Sequence, residues 1–151
     1  MISIPPSNSK RRRLNGGIKV QYLIDTNIFL EGLLEQEQMS HVRTLFQRLS
    51  SSQMALTDFS LHSIGVVLFR LGKASLFTLL LNNVIVDGLR ILALDINDLR
   101  ELDTVTGKFN LDFDDAYQYA VAEKYDLQII SFDTDFDRTE RGRKTPDEVV
   151  Q

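Results

Sequence analysis

Asp25, Asp115 and Asp133 are the residues of this chain whose type and placement could do chemistry. Asp25 ends the apolar run Tyr22-Leu23-Ile24 and is followed at once by Thr26-Asn27 and a helical apolar spacing. Asp115 closes the acid-rich Asp112-Phe113-Asp114-Asp115 where a helix begins, and Asp133 follows the run Gln128-Ile129-Ile130. Strand tips and helix starts of a parallel α/β sheet meet along its C-terminal edge, where such folds keep their sites. Carboxylates gathered there repel one another unless protonated or neutralised. With no cysteine and two histidines in the chain, the economical neutraliser is a hard cation held by oxygen, Mg2+ or Mn2+. Such an ion activates water and balances charge on a phosphorane-like transition state, so phosphodiester hydrolysis is the natural reaction. The plainer reading makes each acid a helix N-cap, and Asp25 with Asn27 suits that role well. The three corresponding positions taken together favour the chemical reading.

The elements that must position these acids alternate between strand and helix. Ile18 to Ile24 reads as the first strand and Thr26 to about Leu34 as the first helix, with Ile28, Phe29, Leu33 and Leu30 as its inward residues. Ser40 is expected to cap a second helix carrying Val42, Leu45, Phe46 and Leu49 at helical spacing. Gln53 to Leu56 reads as a short buried strand, and Thr57-Asp58 then opens a helix with Leu61, Ile64, Val67, Leu68 and Leu71, closed by Gly72. Ala74 to Leu81 is an apolar helix that Asn82-Asn83 should break. Beyond it, Val84 to Val86, Asp87-Gly88 and Leu89 to Leu94 fit either a hairpin or a single parallel strand formed by the second run. A helix from about Asp95 or Asn97 carries Leu99, Leu102 and Val105 to Phe109. Another follows from the acid-rich segment to Tyr125, then the strand Gln128 to Ile130. A short closing helix after Thr145-Pro146 is opened by Asp147-Glu148. The pattern implies a parallel, right-handed α/β sheet of four or five strands.

Length and composition bound the rest. A chain of 151 residues, 43% of them hydrophobic, makes one ordinary domain that buries about two-thirds of its unfolded surface. Residues 1–17 read as a basic, flexible leader and 18–151 as that domain. No apolar run approaches the roughly 20 residues of a membrane span, and the leader has no apolar signal-peptide core. The absence of cysteine agrees with a reducing cytoplasm. The net charge of −4 is uneven. Lys10, Arg11, Arg12, Arg13 and Lys19 lie in the first twenty residues without an acid, which leaves 12 of the 17 bases against all 21 acids, or −9, in the remainder. An acidic body repels a polyanion unless divalent cations intervene, whereas the Lys-Arg-Arg-Arg run can grip phosphates without reading sequence. The bases Arg138, Arg141 and Arg143 follow directly on the last acids and are expected to line an RNA path. Charge reversal there should cost RNA binding more than folding.

Three motifs carry a family likeness: Ile-Asp-Thr-Asn-Ile-Phe at 24–29, Asp-Phe-Asp-Asp-Ala-Tyr-Gln-Tyr-Ala-Val-Ala at 112–122 and Ile-Ile-Ser-Phe-Asp-Thr-Asp-Phe at 129–136. In order and spacing the chain resembles the PIN domain, the fold of VapC-type toxin ribonucleases, from about Val20 to Val149. The resemblance implies a three-layer α/β/α PIN-like domain and a metal-dependent endoribonuclease directed at single strands. In it Asp25, Asp115 and Asp133 would be metal ligands, Asn27 would orient the first acid, Asp135 would be an accessory acid, and Asp114 would assist or replace Asp115. Asp112 would be a cap or an outer residue.

One position departs from the family pattern. Where PIN nucleases place a Glu one turn into the helix after the second strand, this chain reads Thr57-Asp58-Phe59-Ser60-Leu61-His62-Ser63, with Ser63 at the Glu position. Ser63, His62 and Asp58 are the candidates to stand in. The loss of a carboxylate implies weaker metal affinity, with activity slow, Mn2+-preferring or absent. The enzyme reading is therefore weighed against a PIN-fold module that binds RNA or protein without cutting. Aspartyl phosphochemistry is a third class, but Asn27 stands where a phosphatase of that type needs a second Asp. For a toxin the resemblance implies a small antitoxin that offers an Arg to the acidic groove, and a homodimer. Leu33, Leu34, Leu76, Phe77, Leu79 and Leu80 could supply the dimer face, although ordinary core is the simpler assignment for them.

Overall fold

The short apolar runs form the four strands of one parallel sheet, β1 (Tyr22–Ile24), β2 (Met54–Thr57), β3 (Arg90–Leu92) and β4 (Gln128–Ile130), in the order β3-β2-β1-β4. They are seen in a computed structural model that describes residues 19–151. The expected basic leader at 1–17 and Ile18 of the expected first strand lie outside the described residues. Pairing aligns Leu23 with Ala55 and Ile129, and Thr57 with Leu92, so all four strands end at one edge. The order reverses direction beside β1, with β2 on one side and β4 on the other. A crevice opens at such a switch point, beyond the carboxyl ends of the strands.

Side chains alternate across this sheet with period two. Leu23, Ala55, Leu92 and Ile129 point into one core, shared with Leu102, Phe109, Ala116 and Val121. Ile24, Leu56, Ile91 and Ile130 point into the other, shared with Ile28, Val42, Leu45, Ile64, Leu68 and Leu80. The first core is covered by α5 (Ile96–Leu99), α6 (Leu102–Phe109) and α7 (Phe113–Tyr125). The second is covered by α1 (Thr26–Leu33), α2 (Met39–Arg48), α3 (Asp58–Arg70) and α4 (Ala74–Asp87), with α8 (Pro146–Val150) against α2. Burial on both faces explains why the strands are unbroken apolar runs. The architecture is the expected three-layer α/β/α.

Several expectations need correction. The second helix begins at Met39, with Ser40 inside it; Gln38 is its N-cap, and the Gln38 N–H donates to Glu31 Oε2 across the turn from α1. The third helix, by contrast, opens at Thr57-Asp58 as expected: Thr57 caps it, its hydroxyl accepting from Ser60 N–H, and Asp58 is its first residue. Asn82-Asn83 does not break α4, and no hairpin follows. Two asparagines cost a helix only a few tenths of a kcal/mol each, while Leu80 and Val84, one turn apart, are both buried against the core. The helix runs on to Gly88, whose φ of +73° makes it a left-handed C-cap, and Leu80 is core rather than dimer face. The described residues hold four strands; in place of a fifth, Lys144 forms a single parallel bridge to Ile130.

Two glycines separate backbone strain from helix propensity. At Gly88 the positive φ leaves an added methyl strained although nothing lies within 4 Å, whereas Gly107 sits exposed in the interior of α6, also with open space around it. Gly88→Ala should lower stability by about 1 kcal/mol and Gly107→Ala should raise it by about 0.5–1 kcal/mol. Opposite shifts of the denaturant midpoint check both.

Candidate active site

The site grows from β1. Its last residue, Ile24, pairs with Ile130 of β4, and the ladder continues as Asp25 N–H donates to Ile130 C=O at 3.0 Å. Asp25 and Ser131 therefore emerge side by side at the sheet edge, and both are buried, at 7% and 0% exposure. Asp25 is an N-cap as well: its Oδ1 accepts from Thr26 N–H at 2.7 Å and from the Gln118 amide, while Oδ2 accepts from Ser131 Oγ–H at 2.6 Å. The cap and the site residue are the same carboxylate. Burial still dominates, lifting the Asp25 carboxyl above its ordinary value; Ser131 and Thr26 oppose that rise and the negative charge of Asp133 adds to it.

Ser131 links the acids. Its oxygen accepts from Asp133 N–H at 2.9 Å and lies 3.3 Å from Asn27 Nδ2, so both acceptor sites are taken and its one proton goes to Asp25. Asn27 thus orients Asp25 through Ser131, and its Oδ1 also faces Phe132 N–H at 3.4 Å. Arg143 supports the same turn from behind, donating to Ser131 C=O at 3.1 Å. Asp133 in turn caps the 3-10 turn Thr134–Arg138 by accepting from Asp135 N–H at 2.8 Å, which brings Asp135 around to the cleft.

The third wall is α7. Asp112 is its N-cap and accepts from Asp115 N–H at 3.0 Å. Asp115 and Gln118, one turn apart, face the sheet edge together. Carboxylate oxygens of Asp115, Asp133 and Asp135 lie within 4.8 Å of one another. They share a cleft of about 290 Å³ with Asp25, Asn27, Asp112, Asp114, Gln118 and Ser63. Burial first, then the charges of Asp112, Asp133, Asp25 and Asp135, push the Asp115 carboxyl up from 3.8 to about 7. Asp114, exposed on the rim, is raised as well, by partial burial and by Asp112.

An all-oxygen donor set of this kind suits a hard divalent cation. A second feature agrees. Gln118 is 3% exposed and its Oε1 has no hydrogen-bond partner among the described residues. Turning the amide over would set that oxygen against the Asp25 carboxylate, so the orientation is forced and the cleft keeps more acceptors than donors.

The sequence-based candidates thus divide. Asp115, Asp133 and Asp135 converge, and Asp25 lines the same cleft one step behind them with both oxygens hydrogen-bonded. Ser63 lines the cleft, while His62 is exposed on α3 outside its lining, and Asp58 is engaged by Tyr117 O–H at 2.7 Å. Arg138 reaches Asp135 at 2.7 Å but also donates to the carbonyls of Phe109 and Asn110. Arg141 ties Leu127 C=O, Asp126 and Glu123, and Arg143 pairs with Asp137. These guanidinium groups hold the loop that follows Asp135, so reversing their charge would disturb folding as well. Sequence reasoning missed Gln118 and Ser131. A polar residue one turn after Asp115 and a serine directly after an apolar strand were the available signals.

Comparison with known proteins adds the following. A family model described as PIN domain matches residues 22–142. No curated protein matches the chain. Among solved structures, the chain is similar to one described as a toxin-antitoxin complex from Klebsiella pneumoniae, with a TM-score of 0.67 and 19% identity over 83% of this chain and 98% of that one. It is also similar to FitAcB from Neisseria gonorrhoeae, with a TM-score of 0.64 and 16% identity over 83% and 98% of the respective chains. A protein of Pyrobaculum aerophilum gives a TM-score of 0.63 and 20% identity over 89% and 96%. At these identities the structural likeness speaks to fold alone.

The raised acid makes a pH prediction. A carboxyl whose pKa is higher folded than unfolded holds its proton preferentially in the folded state, so the metal-free fold should lose stability as pH rises from about 4 to about 7 and change little above. Thermal midpoints measured in chelator across that range should fall with pH. Asp115→Asn should flatten the slope, and Mg2+ added near neutrality should recover the loss in the unsubstituted protein.

Proposed function

The chain belongs to the PIN domain family, and from that membership we propose that it is a metal-dependent endoribonuclease acting on single-stranded RNA. The observation that carries the reading is the convergence of Asp115, Asp133 and Asp135 within 4.8 Å in a cleft that also holds Asp25. A divalent cation there would supply the Lewis acidity that phosphodiester hydrolysis needs. The donor set favours Mg2+ or Mn2+. The chain's own part is to hold the oxygens: Asp112 and Asp133 fix two turns, Ser131 and Gln118 fix Asp25, and α3 closes the wall with Ser63.

The toxin of a toxin–antitoxin pair is the version we favour, since one neighbouring structure is described as a toxin-antitoxin complex. An antitoxin and a second copy of the chain are the partners this version requires. A groove of about 430 Å³ between α1, α2 and α4, whose part-buried lining includes Leu33, Phe46 and Leu49, supports an apolar partner segment. Among the described residues no helix is long and apolar enough to cross a membrane. The second reading is a PIN module that binds without cutting, and the observation favouring it is Ser63, which lines the cleft where the family pattern has Glu.

Two measurements separate these readings. A labelled RNA incubated with the protein in Mn2+ should be cut, and Asp25→Asn, Asp115→Asn or Asp133→Asn should each slow cutting on the order of 100-fold or more, as the loss of one positioned charge does. Cutting that survives all three at full rate would end the enzyme reading. Separately, Ser63→Glu returns a carboxylate to the cleft and should tighten Mn2+ binding on the order of tenfold by calorimetry. An unchanged affinity would place position 63 outside the ion's reach.

A further inference from the structure

Beside the acidic cleft lies an aromatic surface that the proposed chemistry does not use. Phe113, between the cleft residues Asp112 and Asp114, is 51% exposed. Its ring packs on Phe59, a wall residue of the cleft, at 5.7 Å between centroids and on Tyr117 at 6.2 Å; Phe59 and Tyr117 stand 5.6 Å apart. One ring of the trio is tied in place. Tyr117 Oη accepts from Leu94 N–H at 2.9 Å and donates to Asp58 Oδ1 at 2.7 Å, which pins the ring that backs the other two. Asp58 itself is fixed by Phe59 N–H at 2.8 Å.

We propose that Phe113 is a stacking platform for one nucleobase of a single-stranded RNA whose backbone lies in the acidic cleft, an inference that rests on the nuclease reading of that cleft. Charge explains why such a platform is needed. Phosphates entering the cleft meet Asp25, Asp112, Asp114, Asp115, Asp133 and Asp135, and Arg138 at its rim is already bonded to Asp135 and to two carbonyls. Backbone attraction is therefore weak on this side of the molecule. Stacking on an aromatic face is indifferent to the sign of the surrounding charge and available to every base. A ring already packed on one side against two others has less freedom left to lose when the base arrives, so more of the contact appears as affinity. The geometry selects single strands, because a base paired and stacked in a duplex cannot present its face to Phe113.

The test uses the full chain with Mg2+ and a single-stranded oligonucleotide, 2′-O-methylated to resist cutting, in which 2-aminopurine replaces one base at a time. In the unsubstituted protein, quenching should concentrate at one position or two neighbouring ones. Phe113→Leu keeps an apolar cover over Phe59 but removes the aromatic face; it should abolish that quenching and weaken binding roughly tenfold, whereas Phe113→Trp should keep both. A thermal melt of each variant confirms that it folds. If Phe113→Leu binds and quenches like the unsubstituted protein while Mn2+-dependent cutting persists, the platform is wrong and the nuclease reading stands. If the same strand in a duplex binds equally well, or if Phe113 proves to serve a protein partner and leaves oligonucleotide binding untouched, the platform is likewise overturned. If the protein neither binds nor cuts single-stranded RNA, both ideas fall together.

Discussion

A carboxylate buried at the tip of a central strand must be given hydrogen bonds, and much of this molecule's local architecture follows from giving them to Asp25. Its three donors come from three places: Thr26 at the start of α1, Ser131 just past β4 and Gln118 on the second turn of α7. Each of these bonds counts, because losing a donor would leave a buried polar oxygen without a partner. The requirement is met by the register of β4 against β1 and by the approach of α7 to the sheet edge. Those are the relations that bring Asp115 and Asp133 together. Asp25 contributes to the cleft less by reaching into it than by bonding to the residues that frame it.

The same crowding that makes the cleft useful makes it costly without a counter-charge. Asp115 titrates near 7 because burial and four other carboxylates oppose its ionisation. The family pattern would add a Glu to this set, and here Ser63 occupies the wall instead. One acid fewer means less repulsion among the carboxylates of the cleft. Gln118, on the same helix as Asp115, carries a neutral oxygen that has no partner among the described residues. Neutral oxygens can still coordinate a hard cation, with less attraction and less self-repulsion than a carboxylate.

Much of this was legible in the sequence because it depends on local pattern. Apolar runs ending in Asp25, Thr57 and the Ser131–Asp133 turn mark the sheet edge, and Gly72 closes a helix where helical spacing stops. Errors arose where tertiary burial overrode local signals. Asn82-Asn83 resembles a break, yet Leu80 and Val84 anchor the helix on both sides of it. Gln118 and Ser131 left only faint local signals, for the opposite reason. Their importance lies in which acid they touch, a distance of 93 and 106 residues along the chain. The acids could be paired by type and position, whereas a glutamine inside a helix has no such distinguishing environment until the fold supplies one.

The arginines after Asp135 show why charge position along a chain does not predict electrostatic role. Three bases following a run of acids suggest a surface awaiting phosphate. In the folded molecule, carbonyls and carboxylates stand within reach, and an intramolecular partner is favoured because its effective concentration is set by the fold rather than by solution. Arg138 satisfies the carbonyls of Phe109 and Asn110 after α6, Arg141 that of Leu127 after α7, and Arg143 that of Ser131. Helix and strand ends leave such oxygens exposed, and a planar group with five donors is well suited to close several at once. The result is a braced segment from residue 138 to 144, ending in the bridge between Lys144 and Ile130. Arg138 alone of the three also meets a cleft acid directly, at Asp135, so the positive charge here acts on the cleft partly through one ion pair and partly through the backbone it holds.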